Sequence, residues 1–156
     1  MKTSRLALLC LMVALVVSGW MTVRADDAGS KGWLTDYKQA LANGKANKKI
    51  VFADFTGSDW CGFCIKLKKE VLDTDDLKKM AADKFVLLEL DYPRAKEQSD
   101  EQKQQNADLA KQFKVHGFPT IILLDGDGKE LGRIVGYGGK DKWAAQLNDI
   151  LAKLKG

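Results

Sequence analysis

The chain has 156 residues, of which 46% are hydrophobic and 29% charged, a composition typical of a single soluble globular domain. Its net charge of +4 depends on its first 25 residues, which hold three of the 25 cations and none of the 21 acids. The other 131 residues carry a net charge of only +1, so the charge balance gives no basis for nucleic-acid binding, and we expect no nucleic-acid partner.

Residues 1–25 have the pattern of a secretory signal peptide. Lys2 and Arg5 make a basic start, residues 6–17 form an apolar core, and small residues precede a cleavage site after Ala25. We therefore expect the leader to be cleaved and the mature protein to be periplasmic or secreted, in an oxidising compartment where disulfides persist.

An uncleaved membrane anchor over residues 6–23 is the alternative, but this stretch is shorter than the roughly 20 apolar residues that a spanning helix needs. Cleavage would remove Cys10 and leave two cysteines in the mature chain. Residues 26–32 are polar and are expected to be a flexible start before a domain that spans residues 33–156.

The first elements of this domain follow from hydrophobic periodicity. Apolar residues at helical spacing between Trp33 and Leu41 predict a helix that ends at Asn43-Gly44. The apolar, β-branched and aromatic residues 49–55 predict a strand, residues 56–59 have turn composition, and residues 65–72 again have helical spacing. A strand, a turn and a helix are thus expected in succession.

Strands and helices continue to alternate, which predicts an α/β sheet with right-handed crossovers and an antiparallel edge at the final hairpin. Residues 92–106 are the most polar part, and we interpret them as a surface loop or a solvated helix extension. The remaining predicted elements are a helix over 77–82, a strand over 85–91, a helix over 107–113, strands over 120–124 and 130–135, and a helix over 141–154.

The turn between the first strand and the second helix leads into Trp60-Cys61-Gly62-Phe63-Cys64. Cys61 should lie at the start of the helix, where unpaired N–H groups and the helix dipole favour a thiolate. A zinc site needs about four ligands, and outside the leader the chain offers only these two cysteines and His116, for which a surface-loop position is the expectation. A purely structural disulfide across so short a loop would add little stability.

Three features in this order resemble the thioredoxin superfamily: the strand that contains Asp54, the motif from Trp60 to Cys64, and Val115–Thr120 with its Phe118-Pro119 pair. The resemblance covers most of the mature chain, and Phe55–Cys61 is similar to a group of exported bacterial thioredoxin-fold proteins. It implies a thioredoxin-like fold, with a mixed four-stranded sheet and helices on both faces.

The resemblance also implies the chemistry. Cys61 would be the nucleophile that forms a mixed disulfide and Cys64 the thiol that resolves it, so the redox-active disulfide makes a dissociable cofactor unnecessary. Asp54 would be a buried carboxylate that accepts the Cys64 proton, although the spacing from Asp54 to Cys61 is one residue longer than in ordinary thioredoxins. An exposed acid at a strand end is the alternative for Asp54.

For the substrate, the resemblance implies binding beside the cysteines by Trp60, Phe118 and Pro119, with a cis peptide bond before the proline. A structural role for Trp60 is the alternative. The expected partners are protein thiols or disulfides and a membrane-bound redox protein, and we expect a monomer. Gly62-Phe63 leaves the redox direction open, because it lacks the proline of reducing thioredoxins and the histidine of strong oxidants. A different class of function, a non-catalytic module that binds extended polypeptides, also remains open.

Overall fold

The computed structural model describes residues 32–154. The predicted leader and residues 26–31 lie outside this part of the chain. The described residues form a four-stranded sheet in the order β2-β1-β3-β4 with helices on both faces, which confirms the predicted fold class. The strands are β1 (Ile50–Thr56), β2 (Phe85–Asp91), β3 (Thr120–Leu124) and β4 (Glu130–Val135), and the helices are α1 (Tyr37–Asn47), α2 (Gly62–Leu67), α3 (Asp75–Lys84), α4 (Asp100–Gln112) and α5 (Lys140–Lys153), with a π-helical segment (Lys68–Leu72) that directly continues α2.

The sheet is built around β1. Its residues after Ile50 are all buried, and alternate side chains enter two separate cores. Phe52 packs with Leu67 and Trp143 on one face, whereas Phe55 packs with Leu109 on the other. Full burial of a large apolar side chain stabilises a protein by about 1.5–3 kcal/mol, so this two-sided burial fixes the position of β1.

The pairing directions differ in one respect from the sequence prediction. β1 pairs in parallel with β2, as strands joined by a helical connection should, but β3 runs antiparallel to β1. The antiparallel part of the sheet therefore includes β3 as well as the final hairpin that β3 forms with β4. Consequently the last residues of β1 and β2 and the first residues of β3 lie at the same end of the sheet.

The first helix begins later than the periodicity predicts. Its first residue is Tyr37, and the Asp36 side chain caps it by accepting a hydrogen bond from the Gln39 backbone N–H at 2.8 Å. Leu34 instead forms a short parallel bridge with Leu88 on the outer edge of β2. The apolar residues before Asp36 thus cover the sheet edge in extended form.

The same helix also continues beyond its predicted stop at Asn43-Gly44, to Asn47. Gly44 is buried, and a Cβ atom there would lie 2.9 Å from the Val51 side chain. The glycine therefore permits close packing of α1 on β1 rather than ending the helix.

The polar residues 92–106 do not form only a solvated surface. After a short loop they enter α4, which Ser99 caps at Asp100. Gln102 and Asn106 are buried, and their amide groups donate hydrogen bonds to the backbone oxygens of Thr35 at 3.0 Å and Asp91 at 2.8 Å. These side chains thus tie α4 to the segment before α1 and to the end of β2.

We predict that Gly126→Ala destabilises the protein. A Cβ atom at Gly126 would lie 2.6 Å from the Lys45 Cα atom, so the turn and α1 would have to separate. The expected loss in free energy of unfolding is about 1–3 kcal/mol, measured by urea denaturation. Gly117→Ala is the control, because no atom lies within 4 Å of its Cβ position. Equal losses in the two variants would contradict the packing argument.

Candidate active site

Cys61 and Cys64 form a disulfide with a Cα–Cα distance of 5.2 Å. Cys61 is the N-cap residue of α2, and its sulfur accepts a hydrogen bond from the Cys64 backbone N–H at 3.3 Å. The first backbone N–H groups of a helix have no partners within the helix. When the disulfide is reduced, they and the helix dipole favour a thiolate on Cys61.

The disulfide is mostly buried beside an exposed apolar surface. Cys61 keeps 7% of its surface exposed and Cys64 only 3%, so Cys61 is the more accessible of the two. Next to them, Trp60 is 37% and Phe63 64% exposed. A partner that approaches the sulfur atoms would therefore contact these aromatic rings first.

The proline loop meets the cysteine motif through its aromatic residue. The Phe118 ring lies edge-to-face against the Trp60 ring, with 5.9 Å between ring centroids, and 4.8 Å from the Tyr92 ring. The Phe118–Pro119 peptide bond is cis, and Pro119 is buried. The structure thus brings together the two sequence-predicted substrate-binding segments.

The Trp60 ring is held from several sides. Its Nε1 donates a hydrogen bond to the Tyr92 backbone oxygen at 2.7 Å, and the Arg94 guanidinium carbon lies 4.0 Å from the ring centroid, a cation–π contact. Gly57 leaves space for the ring, because a Cβ atom there would lie 2.5 Å from it. The orientation of Trp60 is therefore fixed by residues that directly follow β1 and β2.

Two aspartates hold the turn before Cys61 against the loop that follows β2. The Asp59 carboxylate accepts hydrogen bonds from the backbone N–H groups of Ala95 at 2.7 Å and Arg94 at 3.0 Å, and these bonds lower the pKa of Asp59. The Ser58 N–H and hydroxyl both donate to the Asp91 carboxylate. The sequence did not single out this clamp, because its partners are distant in the chain.

Asp54 is only 4% exposed, which decides between the two sequence interpretations in favour of a buried carboxylate. Its Oδ1 atom has no hydrogen-bond partner in the described part of the chain. Burial, followed by the negative charge of Glu89, raises the pKa of Asp54 to about 8, while the charge of Lys68 acts in the opposite direction.

Beside Cys64 lies a pocket of about 200 Å³ that is lined mostly by residues with polar or charged side chains. Lys68 and Glu89 face it and form an ion pair at 3.1 Å. The pocket therefore borders Cys64, the less exposed of the two cysteines. The other lining residues are Thr56, Ser58, Ile65, Lys69 and Asp73.

Lys68 and Glu89 were not predicted as site residues, although the position of each in the sequence indicates a place near the cysteines or in a polar contact. Lys68 is four residues after Cys64 and so lies on the same side of the helix. Glu89 interrupts the apolar run of β2 in register with Asp54 on β1. A charged residue within an otherwise apolar strand indicates a polar contact at that point of the sheet.

The other candidates lie away from this centre. His116 is exposed, in agreement with a surface-loop position. Across residues 32–154, no group of three or more histidine, cysteine, aspartate or glutamate residues is placed to hold a metal ion. Within the same range, none of the helices has the length and apolar character needed to cross a membrane.

Comparison with known proteins places this geometry in a family. A family model described as a thioredoxin-like domain matches residues 37–151. The disulfide bond reductase DsbH of Chlamydia pneumoniae is 39% identical over 98 residues, which are 63% of this chain and 59% of the relative. The thioredoxin-related protein DsbJ of the same organism is 34% identical over 128 residues, 82% of this chain and 36% of the relative. The chain thus spans less than two thirds of the length of these relatives.

Solved structures agree. A structure of a DsbH oxidoreductase superimposes with a TM-score of 0.69 and 30% identity, covering 81% of this chain and 91% of that one. A thioredoxin from Thermus thermophilus, with a TM-score of 0.57 and 20% identity over 76% of this chain and 86% of that one, shares the fold. The chain belongs to the thioredoxin-like domain family, as its motifs predict.

Proposed function

We propose that this protein is a thiol-disulfide oxidoreductase that exchanges its Cys61–Cys64 disulfide with the thiols and disulfides of other proteins. The observation that carries the proposal is the position of this disulfide at the start of α2, next to exposed aromatic rings. The similarity to DsbH, a disulfide bond reductase, favours the reducing direction.

In this direction, the Cys61 thiolate attacks one sulfur of a substrate disulfide. A Cys61–substrate disulfide forms, and the first substrate sulfur leaves as a thiolate that takes a proton from water. Cys64 then loses its proton and attacks the Cys61 sulfur. The Cys61–Cys64 disulfide forms, the second substrate thiolate leaves, and two electrons have passed from the protein to the substrate. The cysteines carry these electrons, so the reaction requires no dissociable cofactor.

Asp54 is the proposed acceptor of the Cys64 proton. Its pKa of about 8 lies close to the ordinary value of a cysteine thiol, about 8.5, so a proton can pass between the two groups without a large difference in free energy. A carboxylate of ordinary acidity would be a much weaker base. Burial of Asp54 is therefore useful to the reaction although it disfavours the charged form of the acid.

The substrate side is assigned to Trp60, Phe118 and Pro119. An extended chain that lies along the proline loop could form backbone hydrogen bonds with the Phe118 residue while its cysteine reaches Cys61. The contact between the Trp60 and Phe118 rings supports a single binding surface. The nearby exposed side chain of Phe63 would enlarge its apolar area.

We infer the cellular setting from the predicted leader and the proposed chemistry. We propose that the mature protein works as a monomer in the periplasm or as a secreted protein, where protein thiols become oxidised. A reductant that works there consumes its own dithiol in each turnover. It therefore needs a second partner, which we take to be a membrane-bound redox protein, to reduce the Cys61–Cys64 disulfide again.

Cys64→Ser should accumulate a covalent mixed disulfide, because the first attack by Cys61 remains possible and the resolving thiol is absent. Incubation with an unfolded disulfide-bonded protein should give an adduct that is visible by intact-mass measurement and disappears with dithiothreitol. Cys61→Ser is the matched control and should give no comparable adduct. Undiminished capture of reduced, extended polypeptides by a variant that lacks both cysteines, together with no turnover by the wild type, would favour a binding module instead.

Asp54→Asn should stabilise the oxidised protein increasingly as the pH rises. The folded state holds the Asp54 proton between about pH 4 and pH 8, a range in which the unfolded chain, with a pKa of 3.8, has lost it. The free energy of unfolding of the wild type therefore decreases as the pH rises from about 4 to about 8. We expect a gain of about 2 kcal/mol or more at pH 8 and little gain at pH 4.5, measured by urea denaturation.

Asp83→Asn is the control for this experiment, since Asp83 is exposed on α3. Its effect on the free energy of unfolding should not grow across the same pH range. An equal gain from Asp54→Asn at both pH values would mean that Asp54 ionises normally in the folded protein.

A further inference from the structure

We propose that the Lys68–Glu89 ion pair is the solvent end of the proton path of this site: Glu89 passes the proton between Asp54 and water in the pocket, and Lys68 holds the Glu89 carboxylate in place at the pocket. This inference rests on the proposed function and adds two positioning residues to it. It assigns a role to a pair of charges that the exchange of disulfides does not by itself require.

The first step is the position of Glu89. It lies in register with Asp54 on the neighbouring parallel strand, so both side chains project from the same face of the sheet. Asp54 does not line the pocket beside Cys64, whereas Glu89 does. The Glu89 side chain is 13% exposed, and it is thus the carboxylate that connects the buried acid with solvent.

The second step is the position of Lys68. This residue begins the π-helical segment that continues the cysteine helix, one turn after Cys64. Its Nζ atom lies 3.1 Å from Glu89 Oε1, across the pocket. This ion pair holds the Glu89 carboxylate beside the helix that carries the cysteines.

The third step concerns the other charges that act on Asp54. From β2, Glu89 and Asp91 both raise its pKa, and from the π-helical segment Lys68 lowers it. On β3, the partner of Asp54 in the sheet is the apolar Ile121. The Asp91 carboxylate is already held by two hydrogen bonds from Ser58. Lys68 and Glu89 are therefore the charges that both act on Asp54 and line the pocket, whose other charged lining residues are Lys69 and Asp73.

The proton balance is then complete. When Cys64 attacks the mixed disulfide, its proton moves to the Asp54 carboxylate, the Cys64–Cys61 bond forms and the Cys61–substrate bond breaks. The proton on Asp54 passes to the Glu89 carboxylate and then to water in the pocket. The substrate disulfide is the only oxidant, and the departing substrate thiolate takes a proton from solvent.

Opposite shifts from two charge removals test this proposal. Glu89→Gln removes a negative charge and leaves Lys68 uncompensated, so the titration midpoint of Asp54 should fall by about one pH unit. Lys68→Met should move the midpoint upward by a similar amount. The probe is the Asp54 side-chain carboxyl ¹³C shift in the oxidised protein, which reports the proton directly and needs no turnover.

Matched controls remove equal charges outside the pocket. Lys66→Met removes a cation from the same helix, where Lys66 pairs with Glu70 at 3.9 Å, and Glu101→Gln removes an exposed acid from α4. Both should keep the wild-type midpoint. Glu89→Asp keeps the charge and should stay closer to the wild type than Glu89→Gln. If Glu89→Gln does not fold, the upward shift expected for Lys68→Met carries the test, and an unchanged midpoint in that variant would overturn the proposal.

The second measurement is the pH dependence of mixed-disulfide resolution, followed by stopped-flow release of a thiol from a preformed adduct on Cys61. Glu89→Gln should move the midpoint of this profile down and Lys68→Met should move it up. Unchanged midpoints, or shifts in the same direction, would overturn the proposal in favour of a structural ion pair. A wild-type adduct that is never resolved would instead refute the proposed function, and the carboxyl titration would still decide whether the pair acts on Asp54.

Discussion

The burial of β1 on both faces of the sheet is the constraint on which the site depends. β2 runs parallel to β1, whereas β3 runs antiparallel to it. Three segments therefore meet at one end of the sheet: those that follow β1 and β2 and the one that precedes β3. Those segments carry the cysteine turn, the loop with Tyr92 and Arg94, and the proline loop. The contacts of the Trp60 ring with Tyr92, Arg94 and Phe118 are therefore a consequence of topology.

The same burial creates a conflict inside the sheet. Asp54 lies between apolar residues of a buried strand, and a carboxylate whose Oδ1 has no partner among the described residues is costly there. The conflict is reduced because the acid holds its proton up to about pH 8. A buried acid that destabilises the fold, at a position that an apolar residue could occupy, is typical of a functional position.

The sequence predicted most of the fold because its patterns are local. The apolar run of β1, the spacing of the two cysteines and the motif with Phe118 and Pro119 can each be read within a few residues. Gly44 was misread as a helix stop because its role, contact with Val51, depends on the packing of α1 on the sheet.

The parts of the site that the sequence did not predict depend on pairs that are distant in the chain. Lys68 and Glu89 meet only because β2 lies beside β1 and the cysteine helix packs above both strands. Asp59 similarly finds its partners in the loop after β2. The antiparallel direction of β3 was also missed, since neither periodicity nor turn composition reports the direction in which a helical connection returns the chain.

The proposed function makes Cys61 and Cys64 a dithiol pair that reduces the disulfides of other proteins. Equilibration of the protein in glutathione buffers, followed by Trp60 fluorescence, measures the reduction potential of this pair. We expect one two-electron transition near the value of thioredoxin, about −270 mV. A potential near −120 mV, typical of a strong oxidant, would contradict the reducing direction, and failure of the pair to titrate would contradict the claim itself.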